Sequence, residues 1–239
     1  MNIAEPYTLP LHSIGTSIYG VQAILGFYNY AKGLQSTSLD FDISSKIKVD
    51  ANLSALIYAI CYKLKIENDV SVNLVYNANQ NIFERNGLVS HLQGYGNDNQ
   101  YVDNRHSAIA LTTFDKLDED EFCGYLRNEF FGHRGTAQID KVTKDALRDQ
   151  YVEIFSNVEI HTNTDHPVFA CGQYFPHNGI LKFSLVDLGC GFLQPIQKFT
   201  EGQINDDKSA LVWATSDINT TKELWNMICS FLCKEQWLA

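Results

Sequence analysis

Residues 151–191 read YVEIFSNVEIHTNTDHPVFACGQYFPHNGILKFSLVDLGCG. The first eleven close a long helix, which the spacing predicts over 139–161. Apolar runs at 168–174 and 180–188 read as two strands, and Pro176-His177-Asn178-Gly179 between them supplies a hairpin turn. Glu153 and Asn157 are four apart, so a helix sets them one turn apart on one face. An asparagine oxygen can hold a magnesium ion, and a glutamate one turn earlier can orient or deprotonate a water or hydroxyl. The second strand ends in Asp187-Leu188-Gly189-Cys190-Gly191. A carboxylate placed there can accept the amino hydrogen of an adenine. Gly189 and Gly191 let the backbone pass close under a flat ring.

Upstream, the pattern alternates between strands and helices. Leu39-Asp40-Phe41-Asp42-Ile43 has strand periodicity. A helix is expected over 50–67, with Leu53, Leu56, Ile57, Ile60 and Leu64 on one face and Asp50 as its N-cap. A second alternating strand covers 70–76, and a short helix covers 79–88, closed by Gly87. The polar stretch 93–105 reads as a loop, and 108–114 as a third strand. This pattern implies an α/β (α+β) chain, its first module an open sheet with helices over 1–114. The second module, 115–239, begins with a helix over 115–131, acidic at its start and broken by Gly132-His133-Arg134-Gly135. Helices are also expected over 209–216 and 221–237.

Composition narrows the function classes. The 239 residues are 45% hydrophobic and 19% charged, which suits a globular chain with a sizeable core. A formal net charge of -10 repels a phosphate backbone and argues against nucleic-acid binding. No apolar run approaches the roughly 20 residues of a membrane-spanning helix. The N-terminus lacks a basic segment followed by an apolar core, so no secretory leader and a cytoplasmic location are expected. None of the 6 cysteines forms a C-x-x-C pair, and most lie in apolar surroundings, as reduced thiols packed in a core do. Cys229 and Cys233 would share a helix face without two further metal ligands in view.

The helix with Glu-x-x-x-Asn, the hairpin and the strand ending in D-x-G-x-G together resemble the N box and G1 box of the GHKL (Bergerat-fold) superfamily. Histidine kinases, anti-sigma-factor kinases, Hsp90-like chaperones and type II topoisomerases belong to it. The resemblance implies a two-layer α/β sandwich that binds ATP and Mg. It implies Glu153 as general base, Asn157 as magnesium ligand and Asp187 as the adenine-reading carboxylate, with Gly189 and Gly191 shaping the pocket. The first module resembles a STAS-type domain, the fold of anti-sigma-factor antagonists, at the level of pattern. Together these imply an ATP-binding regulatory protein that acts on a protein partner by ATP hydrolysis or phosphorylation, with a homodimer compatible. The family carries a lid and a second glycine box after G1. Here Ala210-Leu211-Val212-Trp213-Ala214 and Asn219-Thr220-Thr221-Lys222 resemble the approach to that lid, and no glycine follows Gly202. The expected GHKL-like domain is therefore C-terminally incomplete. An inactive interaction module that has lost nucleotide binding is the alternative.

Two competing readings are weaker. Leu185–Gly191 also matches the start of the S-adenosylmethionine loop of class I methyltransferases, but that fold needs several further strand–helix units behind it. A metal at His161, Asp165 and His166 would sit in a polar turn, where incidental histidines are the simpler account.

Overall fold

The computed structural model describes residues 2–96, 103–115, 118–161, 164–191 and 193–214 of a mixed α/β chain. It divides into two compact units, Met1–Thr113 with Phe169–Val186 and Phe114–Val168 with Asp187–Ala239. This division is not the linear one drawn from the sequence at 114/115. The strand pair 169–186 groups with the first unit, because its contacts are with that unit's strand and helix.

In the first unit, β1 (Asn2–Ile3), β2 (Tyr7–Thr8), β4 (Thr37–Asp42) and β6 (Val70–Val75) form one parallel sheet. β6 pairs with the whole of β4, from Thr37↔Val70 to Asp42↔Val75. β1 and β2 therefore share the opposite edge, at Asn2↔Thr37 and Tyr7↔Phe41. Alternation decides the faces: Thr37, Leu39 and Phe41 are buried, and the residues between them are partly exposed. Two crossover helices, α1 (Ile18–Ala31) and α2 (Ser54–Asn68), join these parallel strands and pack on each other. Phe27 of α1 stacks on Phe41 of β4 with centroids 4.3 Å apart. β3 (Ser13–Ile14) and β5 (Lys48–Val49) make a small parallel pair at the entrances to these helices.

The helix expected over 50–67 begins later. A 3-10 turn at Ala51–Leu53 precedes α2, and Asp50 makes no side-chain cap bond. Its carboxylate is drawn to other partners, described below. α2 ends at Asp69, whose φ of 52° is left-handed. The helix expected over 79–88 is two short ones, α3 (Ile82–Arg85) and α4 (Leu88–Leu92). Gly87, with φ of 87°, lies between them, so the glycine ends one helix and starts the next.

The second sheet has the order β7–β8–β9, with β7 at Ala108–Phe114, β8 at Val168–Phe175 and β9 at Ile180–Val186. β8 and β9 form the expected antiparallel hairpin, from Phe169↔Val186 to Phe175↔Ile180. α2 packs against both β6 and β9, and Tyr58 and Tyr62 set their edges on Phe169. With contacts on two sides, α2 buries Ala55, Ala59 and Cys61 as well as the Ile57, Ile60 and Leu64 face read from the sequence.

In the second unit, α5 (Glu119–Tyr125) is capped by Asp118, which accepts the N–H groups of Asp120 and Glu121. It passes into a π-helical turn at Leu126–Phe130. α6 (Lys141–His161) is the long helix expected. Phe155 of α6 is fully buried. It stacks on Phe122 at 4.3 Å and 6° and meets the edge of Phe114 at 5.5 Å. α7 (Leu193–Phe199) and α8 (Asp207–Ala214) share a small core of Ile196 and Ala210, covered by Leu193, Ile204 and Trp213. The sequence pattern had shown neither α1 nor α7. The helix expected over 221–237, with Cys229 and Cys233, lies outside the described residues.

Candidate functional site

α6 carries Glu153 and Asn157. Phe155, between them, fixes the rotation of the helix by its burial against Phe114 and Phe122. Glu153 is half-buried, and the side chain of Asn157 lies outside the described residues, as does that of His161. Ser156 donates to Val152 O at 2.9 Å and to the Glu119 carboxylate, tying α6 to the start of α5.

Asp187 follows the last residue of β9 and is exposed. Its Oδ1 accepts the N–H of Gly189 at 2.8 Å, an Asx turn that fixes the carboxylate over its own loop. Gly191 has φ of 68° and open space where a Cβ would stand, so the loop turns in a conformation that favours glycine. Cys190 between the two glycines is half-buried. Glu153, Asp187, Gly189 and Gly191 all belong to the second unit. No hydrogen bond or ion pair joins Glu153 to Asp187 among the described residues. Nor does any group of three or more His, Cys, Asp and Glu side chains gather as a metal site among them.

A buried polar cluster gathers around Asp50, which the sequence marked only as a helix cap. Asp50 is 1% exposed. Its Oδ2 accepts the Thr16 N–H at 2.9 Å and the Lys182 ammonium at 2.7 Å, and the Lys48 ammonium stands 3.1 Å from Oδ1. The Thr16 hydroxyl lies between Asp50 Oδ2, at 3.1 Å, and Asn52 Oδ1, at 2.9 Å. Asn52 donates to Ser184 Oγ at 2.8 Å, and Gln173 accepts the Ala51 N–H at 2.6 Å. The ring of Phe175 lies under both ammoniums, 4.6 Å from Lys48 and 5.3 Å from Lys182. Burial by itself would raise the Asp50 carboxyl. The Lys182 hydrogen bond, the Thr16 N–H and Lys48 outweigh it and hold the carboxyl below its ordinary value. One anion thus fastens the β3–α1 loop, β5 and β9 together. A sequence signal for it was faint, since Lys48 and Asp50 are neighbours but Lys182 is remote.

A second buried network is wholly neutral. Asn86 donates to Ser54 Oγ at 2.9 Å and Ala51 O at 3.2 Å, and accepts the Leu88 N–H. Cys171, fully buried beside it, lies 3.4 Å from Ala51 O and from Ile109 O, and burial pushes its thiol up to about 12. Such a thiol is a packing group, not a nucleophile. Arg85, Asp103 and Ser107 close the loop before β7. Asp103 accepts the N–H groups of Ser107 and Ala108 at 2.6 and 2.7 Å and pairs with Arg85.

No protein-family model matches the chain, and no curated protein or solved structure matches it. Functional assignment therefore rests on the residues themselves. No described helix is long and apolar enough to cross a membrane.

Proposed function

We propose that the chain is an ATP-binding regulatory protein of GHKL type, with a STAS-like first module, and that ATP hydrolysis or phosphoryl transfer acts on a protein partner. One observation carries the reading. A long helix bearing Glu153 and Asn157 is followed by an antiparallel hairpin whose last strand delivers an exposed carboxylate, Asp187, into a turn with Gly191 at positive φ. The residues fit the ligand. Asp187 gives one oxygen to Gly189 N–H, and a carboxylate retains acceptor capacity for an adenine amino group. Holding the carboxylate by a local N–H orients it before any ligand arrives. Gly191 leaves room for a flat ring to approach the backbone. Glu153 would take the proton of the attacking water or hydroxyl. Asn157 would hold a magnesium ion, which neutralises phosphate charge when bound. Because Mg prefers water and phosphate ligands, one protein oxygen suffices and a multi-carboxylate cluster is not required.

A second reading has its own support. Residues 203–239 contain no glycine, so that stretch offers no glycine loop to wrap phosphates with N–H groups. On this reading the chain is an interaction module without nucleotide chemistry. Isothermal titration with Mg-ATP separates the two. One-site heat that disappears in Asp187→Asn is the expected result. Alkylation of Cys190, flanked by Gly189 and Gly191, is expected to slow when Mg-ATP is present. Silence in saturating nucleotide selects the interaction module, and unchanged binding by Asp187→Asn removes the adenine assignment.

A further inference from the structure

α1 is anomalous in its composition. Ile18–Ala31 contains no charged residue, in a chain of which 19% is charged and whose net charge is -10. Its inner face is buried through Gly20, Ala23, Ile24, Phe27 and Ala31. Its outer face carries no charge and four exposed hydrophobics, Ile18 69%, Tyr19 72%, Leu25 39% and Tyr30 41%, beside the exposed amides of Gln22 and Asn29. At 100° per residue these four, with Gln22, Gly26 and Asn29, fall in one arc about 140° wide. A solvent-facing helix face ordinarily carries charge, and this one carries none. Scattered exposed hydrophobics need no explanation, but four gathered on one uncharged helix face mark an interaction surface.

We propose that this face of α1 is the contact between two copies of the chain, packed antiparallel about a two-fold axis near Gln22. Three observations favour a second copy over another occupant. Two chains of net charge -10 repel wherever charged surfaces meet, and α1 offers a face without charge. The face is self-complementary. With the axis near Gln22, the two Gln22 amides meet and can donate and accept mutually. Tyr19 of each copy then lies over Gly26 of the other. The Tyr7 hydroxyl fills the space beside that glycine, 2.9 Å from where a Gly26 Cβ would stand, and so adds to the surface the Tyr19 ring meets. An isologous contact requires such reciprocity. The area is of the right order. The four exposed side chains leave on the order of 500 Å² open per copy, so they can contribute up to about 1,000 Å² to the pair, with Gln22, Asn29 and the flanks of the helix adding to it. The proposal does not depend on nucleotide binding.

Sedimentation velocity on the full chain at micromolar concentration tests it. The wild type is expected to sediment as a dimer. Tyr19→Glu and, separately, Leu25→Glu are expected to weaken association by at least about tenfold, since each would bury an unpaired carboxylate per copy. Far-UV circular dichroism should be unchanged in both. If either variant loses helicity, Gln22→Cys decides. Mild oxidation should give a disulfide-linked dimer on a non-reducing gel, above the wild-type background. A monomeric wild type, a dimer that persists in both charged variants, or no Gln22→Cys cross-link overturns the proposal. A wild-type monomer that floats with phosphatidylcholine vesicles overturns it in favour of a lipid surface.

Discussion

Asp50 shows how much one buried carboxylate can organise. It joins Thr16, Lys48 and Lys182. Replacing it with alanine removes the anion and leaves two ammoniums facing each other over Phe175. Both lysines are partly exposed and can turn to water, so the cost is set mainly by the lost charge-assisted bonds. We expect Asp50→Ala to lower stability by about 2 kcal/mol in urea unfolding; an unmoved midpoint would show that the cluster is incidental. The pH dependence follows from the lowered carboxyl. The folded chain binds this proton less readily than the unfolded chain, whose carboxyl titrates near 3.8. The stabilisation is therefore complete above that value and is lost as pH falls through the lower folded value. Acid unfolding of the wild type should be steeper below pH 4 than that of Asp50→Ala.

Among the elements, the hairpin and α6 make opposite demands on their residues. Gly172 in β8 sits where a Cβ would come 2.9 Å from Ile109 Cδ1 and 3.0 Å from the Lys182 carbonyl oxygen. The isoleucine can turn aside, but the backbone oxygen is held in the β8–β9 ladder. Gly172→Ala should cost about 1–2 kcal/mol, read as a lowered thermal midpoint, and a neutral effect would mean that the hairpin shifts as a body. α6 depends on the opposite property, bulk. Phe155→Ala removes a ring stacked on Phe122 and edge-on to Phe114. About 3–4 kcal/mol should be lost, with Glu153 no longer held at a fixed rotation. If Mg-ATP heat survives in a folded Phe155→Ala chain, the helix rotation is not what sets the site.

For the whole molecule, the thiols report on folding. Cys61 and Cys171 are buried, and burial pushes both up to about 12; Cys123 and Cys190 are half-buried. Native protein treated with a thiol reagent near neutral pH should be modified at Cys123 and Cys190 well before Cys61 and Cys171, which should react only on unfolding. Peptide mapping of the labelled chain would show it, and early modification of Cys171 would contradict its packing.

The sequence by itself determined the elements whose signal is local. β4 and β6 alternate, β7 is a short, largely apolar run, Pro176–Gly179 turns a hairpin, and α6 has its helical run, because propensity and periodicity act over a few residues. The places of Glu153 within α6 and of Asp187 just after β9 were legible for the same reason. α1 was not, because it has no charged residue and its polar face is marked only by Gln22 and Asn29, so its limits do not stand out from the apolar stretch around it. Only the tertiary structure decided that Asp50 spends its carboxylate on Thr16 and two lysines in place of a helix cap, and that β8 and β9 group with the first unit. The partners in those contacts are remote in the chain. Long-range burial and charge pairing select among local possibilities that are nearly equal in energy, and no short stretch of sequence contains that choice.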